Sequence, residues 1–375
     1  MLLKKIFFIL ALASLCQAEG NDKCIEAGKL VRQGFALANG TVEEEKYYRQ
    51  ALEVCPKMAE AEYNLGIVLL KQGKRAEALQ SFEKAITLRD DPEFRIASAK
   101  ARLEGNELEA AKTDYEKALT IDPSNLKATL GLSVVFQKLG DKEKAVNHLS
   151  KALEKQSNNV ALLYNRAVLY DQQGNFQLAS SDYEKIIRLE RNHFEANLYF
   201  GLLLQREGKY TESEKFLIRA CEIKPENSTA RKALGMVYQK SKDQDKAEIA
   251  LKKAISLDPK DALSYINLGI LLIQKQQPVQ AEEILLKGKA NGISDSRLMN
   301  VLGWAQLELG KHAEAESSLR DAIQLDAENA EAYNNLGILQ QRTGKLDEAR
   351  RAFEAAVKND PELESAKENL KILLD

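Results

Sequence analysis

From Pro92 to Leu363 the chain repeats itself every 34 residues, eight times over, without an insertion or a deletion. Blocks begin at Pro92, Leu126, Val160, Phe194, Ser228, Ala262, Ser296 and Ala330, and a further copy starting at Ala59 is one residue short. A period of this size marks a chain whose units cannot bury their apolar faces alone and must stack on one another. That overrides the two or three globular domains that 375 residues would otherwise suggest.

The pattern inside a block sets the shape of the unit. Position 8 is small in every copy: Gly66, Ala99, Ser133, Ala167, Gly201, Gly235, Gly269, Gly303 and Gly337. Position 20 is Ala throughout except Ser213, position 24 is large and apolar (Phe82, Tyr115, Leu149, through to Phe353), and position 27 is small in most copies. Positions 4, 7, 8 and 11 share one face of a first helix, and 20, 24 and 27 share one face of a second. Small residues at 8, 20 and 27 let the two helices approach, and the residue at 24 fills the space beside them. Gly at position 15, as in Gly73 and Gly344, ends the first helix, and Pro at 32, as in Pro225, stops the second.

The 34-residue pattern closely resembles the tetratricopeptide repeat family over about 305 residues. The resemblance implies an all-α fold, a right-handed α-solenoid superhelix of about ten stacked antiparallel helix hairpins. Residues 59–363 supply nine repeats, 19–58 a divergent first hairpin, and 364–375 a C-terminal capping helix with Ala366, Leu370, Leu373 and Leu374 on one face. In the first hairpin Tyr48, Ala51 and Pro56 fit positions 24, 27 and 32, while Glu44 stands where position 20 has Ala. Cys24 and Cys55 fall at neighbouring ends of that hairpin and are either a disulfide pair or two buried thiols. Cys221 reads as core. In the block from Ala262, Pro278, Gly288 and Asn291-Gly292 suggest either a local softening, even a hinge, or simple drift of the pattern.

Residues 1–18 read as a signal peptide, with Lys4 and Lys5 ahead of a ten-residue, mostly apolar run from Ile6 to Leu15 and small Ala18 at the cleavage point. Ten helical residues span roughly 15 Å, half a bilayer core. Lipidation at Cys16 is the alternative, although bulky Leu15 precedes it, and no later stretch is long enough to cross a membrane. The expected location is therefore periplasmic or secreted, with tethering to a membrane by lipid as the lesser reading.

Lys and Arg number 54 against 56 Asp and Glu, a formal net charge of −2 that argues against a nucleic-acid partner. Three histidines, four cysteines and the absence of any Cys-x-x-Cys leave no metal site, cofactor site or catalytic constellation to expect. Gly66 and Gly73-Lys74 are separated by six residues, not the four of a phosphate-binding loop. Acidic residues are expected on solvated helix faces. The chain is read as a non-enzyme.

In the family that the repeats resemble, positions 2, 5, 9, 12 and 13 of the first helix line a concave groove. Position 9 reads Ile67, Lys100, Val134, Val168, Leu202, Met236, Ile270, Trp304 and Ile338, apolar in eight of nine copies. Leu198 and Ile266 at position 5 extend the row, with Trp304, the only tryptophan, as its best anchor. The row either offers a partner site or packs between successive first helices. Lys232, Asn267 and Arg297, in three successive copies, are the nearest match to the chaperone-tail clamp of some family members, which is incomplete here because Met236 and Val301 occupy its two remaining places. Asn64, Asn165, Asn267 and Asn335 form a gapped series at position 6. The function expected is a protein-interaction scaffold of the cell envelope that holds a partner's peptide or helix. A cytosolic co-chaperone-like adaptor, or an accessory subunit of a separately encoded enzyme, is the alternative.

Overall fold

The computed structural model describes residues 22–374, so the leader, the cleavage point at Ala18 and the lipidation alternative at Cys16 lie outside the described residues. Those residues form twenty-one α-helices and no strand, in two compact units, one ending at Leu189 and the other beginning at Glu190. The first unit holds five hairpins: α1 (Asp22–Leu37) with α2 (Val42–Val54), α3 (Ala59–Lys71) with α4 (Arg75–Leu88), α5 (Pro92–Glu104) with α6 (Leu108–Ile121), α7 (Leu126–Lys138) with α8 (Lys142–Lys155), and α9 (Val160–Gln172) with α10 (Phe176–Leu189). The second holds α11 (Phe194–Arg206) with α12 (Tyr210–Ile223), α13 (Ser228–Lys240) with α14 (Gln244–Leu257), α15 (Ala262–Gln274) with α16 (Pro278–Ala290), α17 (Ser296–Glu308) with α18 (His312–Leu325), α19 (Ala330–Arg342) with α20 (Leu346–Asn359), and a final helix α21 (Glu364–Leu374). Within each unit, every helix packs on the next in chain order.

Each first helix of a 34-residue copy occupies positions 1–13, and each second helix but α16 occupies 17–30. The boundary is set at position 15, where the backbone enters the left-handed region in every copy. Glycine serves in six; Asn106, Lys242 and Gln276 adopt the same conformation at φ of 61°, 61° and 59°. In all nine copies the amide at position 16 then donates to the carbonyl at position 11, at 2.8–2.9 Å, so the helix end is closed by its own backbone. The start of each following first helix has its own device. Asp91, Asn125, Asn159, His193, Asn227, Asp261, Asp295 and Asn329 each accept a hydrogen bond from an amide of the helix they precede. Such a cap contributes roughly 1 kcal/mol.

Close approach explains the small residues. A Cβ added at Gly66 or Gly337 would meet the ring of Phe82 or Phe353 at 2.6 Å. The position-24 side chain lies directly against the first helix, and Phe82, Phe353, Leu149, Leu217 and Leu285 are fully buried. Burying such a side chain contributes about 1.5–3 kcal/mol.

The two units differ in what they bury where positions 7 and 23 face each other. In the second unit Phe200 meets Phe216 with ring centres 4.7 Å apart, and Leu234 is buried beside Ala250. Two copies of the first unit pair polar groups there instead. Ser98 donates to Asp114 at 2.7 Å, and Asp114 also lies 3.4 Å from Arg95 and 3.1 Å from Arg102. Arg166 holds both oxygens of Asp182 at 2.7 and 2.8 Å and donates to Ser150 at 3.0 Å. His148 stands at position 23 of the copy between these two, half-buried and edge-on to Phe136, and its partial burial depresses its pKa against the opposing pull of a hydrogen bond with the Thr129 backbone. The expectation that acids sit on solvated faces is corrected here. Positions 7 and 23 look across the hairpin, so a carboxylate placed there is buried and must find its cation inside.

Cys24 and Cys55 form a disulfide across the α1–α2 hairpin, with Cα atoms 5.2 Å apart and a sequence separation of 31. Glu44 is buried in that hairpin, accepting from the Gly40 amide at 2.7 Å and from the Tyr48 hydroxyl at 3.3 Å. In the Ala262 block α16 is continuous but ends one residue earlier than the other second helices, and Gly288 admits the ring of Tyr265, whose Cγ lies 3.1 Å from where a Cβ would stand. Asn291 donates to the Tyr265 hydroxyl at 2.7 Å and fixes the helix end. In α21 Ala366 is buried, but Leu374 is exposed, so the apolar face drawn from the sequence is covered only in part.

Candidate functional site

The 13-residue first helices present two flanks. Positions 4, 7, 8 and 11 meet the second helix of the same hairpin, and positions 5 and 9 lie on the opposite flank, beside neighbouring first helices. Position 9 is half-buried in all eight apolar copies: Ile67, Val134 and Val168 in the first unit, and Leu202, Met236, Ile270, Trp304 and Ile338 in the second. Leu202, Ile270 and Trp304 pack against the main core of the second unit. Each row is thus neither sealed nor free-standing; one side of the side chain is packed and the other meets solvent. Lys100 interrupts the first unit's row with an exposed cation.

Position 5 is more deeply placed than its sequence suggested. Leu198 and Ile266 are buried members of the second unit's core, so they support the row from beneath and cannot themselves face a partner. Tyr63 is stacked on Phe94 with ring centres 4.8 Å apart, and burial, helped by the charges of Glu93 and Asp91, pushes its hydroxyl up to about 12. It stays a neutral donor at any physiological pH.

The clamp residues are brought near one another in sequence order but are spent within the chain. Lys232 donates to Asp261 at 2.9 Å, Arg297 holds Asp295 at 2.8 Å, and Asn267 donates to the Leu263 carbonyl at 2.8 Å. Burial pushes the Asp261 carboxyl up, but donors from Ser264 and Lys232 outweigh it and hold the pKa below the usual range, so this pair stays charged. A clamp made of these three would have to break all three partnerships first.

The position-6 asparagines behave similarly. Asn165 donates to the Ala161 carbonyl at 2.8 Å, Asn335 to Asn300 at 2.8 Å and, in the same register, Asn369 of α21 to Asn334 at 2.9 Å. These last two bonds tie successive first helices together, a pairing the gapped series in the sequence did not reveal. Asn64 differs: it is 7% exposed and its amide nitrogen has no hydrogen-bond partner in the protein.

The histidines stand apart, His148 in a hairpin core, His193 capping α11 and His312 at the first position of α18. Among the described residues no group of three or more His, Cys, Asp or Glu is placed to hold a metal ion, and no helix is long and apolar enough to cross a membrane. What the geometry offers is surface for a partner to bury, with no catalytic domain indicated.

Comparisons with known proteins point the same way. The family model described as the C-terminal domain of cilia and flagella-associated protein 70 matches residues 157–373, more than half of the chain. Tetratricopeptide repeat models match 59–92 and 102–166. The TPR repeat-containing thioredoxin TTL4 of Arabidopsis thaliana is 28% identical over 125 residues, which is 32% of this chain and 17% of that protein's length. Among solved structures, the Cut9-Hcn1 hetero-tetramer of APC/C aligns over 93% of this chain and 84% of its own at 13% identity, with a TM-score of 0.52. A tetratricopeptide repeat protein from Parabacteroides merdae aligns over 76% of this chain and 99% of its own at 20% identity, with a TM-score of 0.45.

Proposed function

Because the chain belongs to the tetratricopeptide repeat family, a family of protein-interaction scaffolds, we propose that it works without bond chemistry, by holding a peptide or helix of a partner against its position-9 rows. The half-burial of position 9 in all eight apolar copies carries this reading. A side chain packed on one side is pre-ordered, so covering its open side loses little conformational entropy. Met236, Ile270 and Trp304 in consecutive copies make the strongest stretch, with Leu198 and Ile266 fixed beneath. Trp304 is the anchor, since aromatic side chains dominate binding energy where they are desolvated.

The scaffold is exported, to the periplasm or the cell exterior, and organises a complex of the envelope. The disulfide between Cys24 and Cys55 supports this placement, because such bonds persist in oxidising compartments. Affinity capture with the wild-type chain, Trp304→Ala and Met236→Glu tests the role. Both variants should lose partner while keeping the helical circular dichroism of the wild type; undiminished capture by both defeats the proposal. Mass spectrometry of the mature N-terminus tests export, with Glu19 expected as the first residue.

A further inference from the structure

A pocket of about 380 Å³ lies between α2 and the α3–α4 hairpin of the first unit, away from the position-9 row. Its size falls within the roughly 300–1,000 Å³ of small-ligand clefts. Leu65 and Leu69 supply apolar lining, and the charged lining comprises Glu53, Glu62 and Glu77 against Arg49 and Lys84.

Glu62 is the unusual member. It occupies position 4, where later copies bury either apolar residues, Leu163, Tyr265 and Met299, or polar ones that are hydrogen-bonded within the chain, Arg95, Thr129 and Asn197. Here a carboxylate is only 6% exposed, and its Oε2 has no hydrogen-bond partner in the protein. Lys84 stands 3.7 Å from Oε1, too far for a hydrogen bond, and its side chain is 66% exposed. Arg49 is held elsewhere, by Glu45 at 2.6 Å and Glu77 at 3.6 Å. A buried carboxylate oxygen lacking a donor is unfavourable, and a cation delivered with its own donors satisfies it.

We propose that this pocket binds an alkyl cation, an ammonium or guanidinium group carried on an aliphatic stem. The stem lies along Leu65 and Leu69, and the charged end donates to Glu62 as Lys84 swings into solvent. The same chemistry is offered by a lysine or arginine side chain of a partner polypeptide and by a free diamine.

The test is a titration of the full chain, labelled at leucine methyls, with N-acetyl-arginine amide, N-acetyl-lysine amide and 1,5-diaminopentane. Saturable movement of the Leu65 and Leu69 signals is expected, weakened at least tenfold in Glu62→Gln and kept or strengthened in Lys84→Ala. Saturation by the capped amino acids alone assigns the site to a polypeptide's basic side chain; equal saturation by the diamine assigns it to a free amine. Shifts that only grow linearly with concentration, equal binding by Glu62→Gln, or tenfold weaker binding by Lys84→Ala would each overturn the proposal.

Discussion

Replacing Gln276 by glycine should stabilise the second unit, and replacing Gly344 by alanine should destabilise it, although neither residue packs on anything decisive. Both stand at position 15, at φ of 59° and 78°. A Cβ at Gly344 would have no atom within 4 Å, so the substitution carries no steric cost from neighbours and its effect is that of the backbone alone. A residue with a Cβ pays roughly 1–2 kcal/mol in the left-handed region. Glycine loses about 0.4–1 kcal/mol more through its freer unfolded chain. The difference predicts about 0.5–1 kcal/mol of stabilisation for Gln276→Gly, a similar gain for Lys242→Gly, and a loss of about 1 kcal/mol for Gly344→Ala. Asn106→Gly should change little, because asparagine tolerates this conformation. Since repeat arrays open locally, the assay is native-state hydrogen exchange at the amides closing each first helix. A change of 1 kcal/mol is about a fivefold change in the opening constant. A neutral Gly344→Ala together with a destabilised Gln276→Gly would refute the claim that conformation at position 15 sets the helix boundary.

Three further outcomes follow from the cores. Arg166→Ala should cost about 3–5 kcal/mol by stranding Asp182, whereas Arg166→Phe with Asp182→Phe, which copies the Phe200–Phe216 pair, should be close to neutral; denaturation of both variants checks this. Reducing Cys24–Cys55 should destabilise the first hairpin by about 3–4 kcal/mol, given its loop of 31 residues, and exchange should quicken in α1 and α2 but not in α19 and α20. Burial holds the His148 pKa below its ordinary value, so the folded state binds fewer protons than the unfolded one. The stability this contributes is complete above the unfolded pKa of about 6.5 and falls away as pH drops through it toward the folded value. The opening constant at α7 and α8, obtained from exchange after division by the intrinsic amide rate at each pH, should rise between pH 7.5 and 5.5 in the wild type and stay flat across that window in His148→Phe.

The repeat made the fold legible. A side chain's place within 34 residues gives its helix and its face, which is why positions 15 and 24 could be located from spacing, while the two cysteines could be set at neighbouring ends of the first hairpin without deciding between a disulfide and two thiols. Two further signals are present in the sequence: the Asp, Asn or His before every first helix from Pro92 to Ala330, and the pairing at positions 7 and 23 of Ser98 with Asp114 and Arg166 with Asp182. The first is a local capping signal, readable from the sequence; the second needs the knowledge that two positions face each other across a hairpin, which composition and period do not supply. The candidate site was less legible, for a similar reason. Periodicity separates the two flanks of a helix but gives no depth along a flank, so Leu198 and Ile266 looked equivalent to Leu202 and Ile270 until packing set them in the core. The partners of the clamp residues were not legible because a cation's partner is chosen in space: Asp261, which pairs with Lys232, belongs to the turn ahead of the next first helix.

Hydroxyl-radical footprinting of the free chain and of the chain with its captured partner tests the interaction surface most directly, because it reads side chains one at a time. Trp304 and Met236 should be labelled in the free protein and shielded in the complex, while outward residues of the second helices such as Ile249 keep their labelling. Unchanged labelling of Trp304 and Met236, with shielding confined to the second helices, would contradict the account.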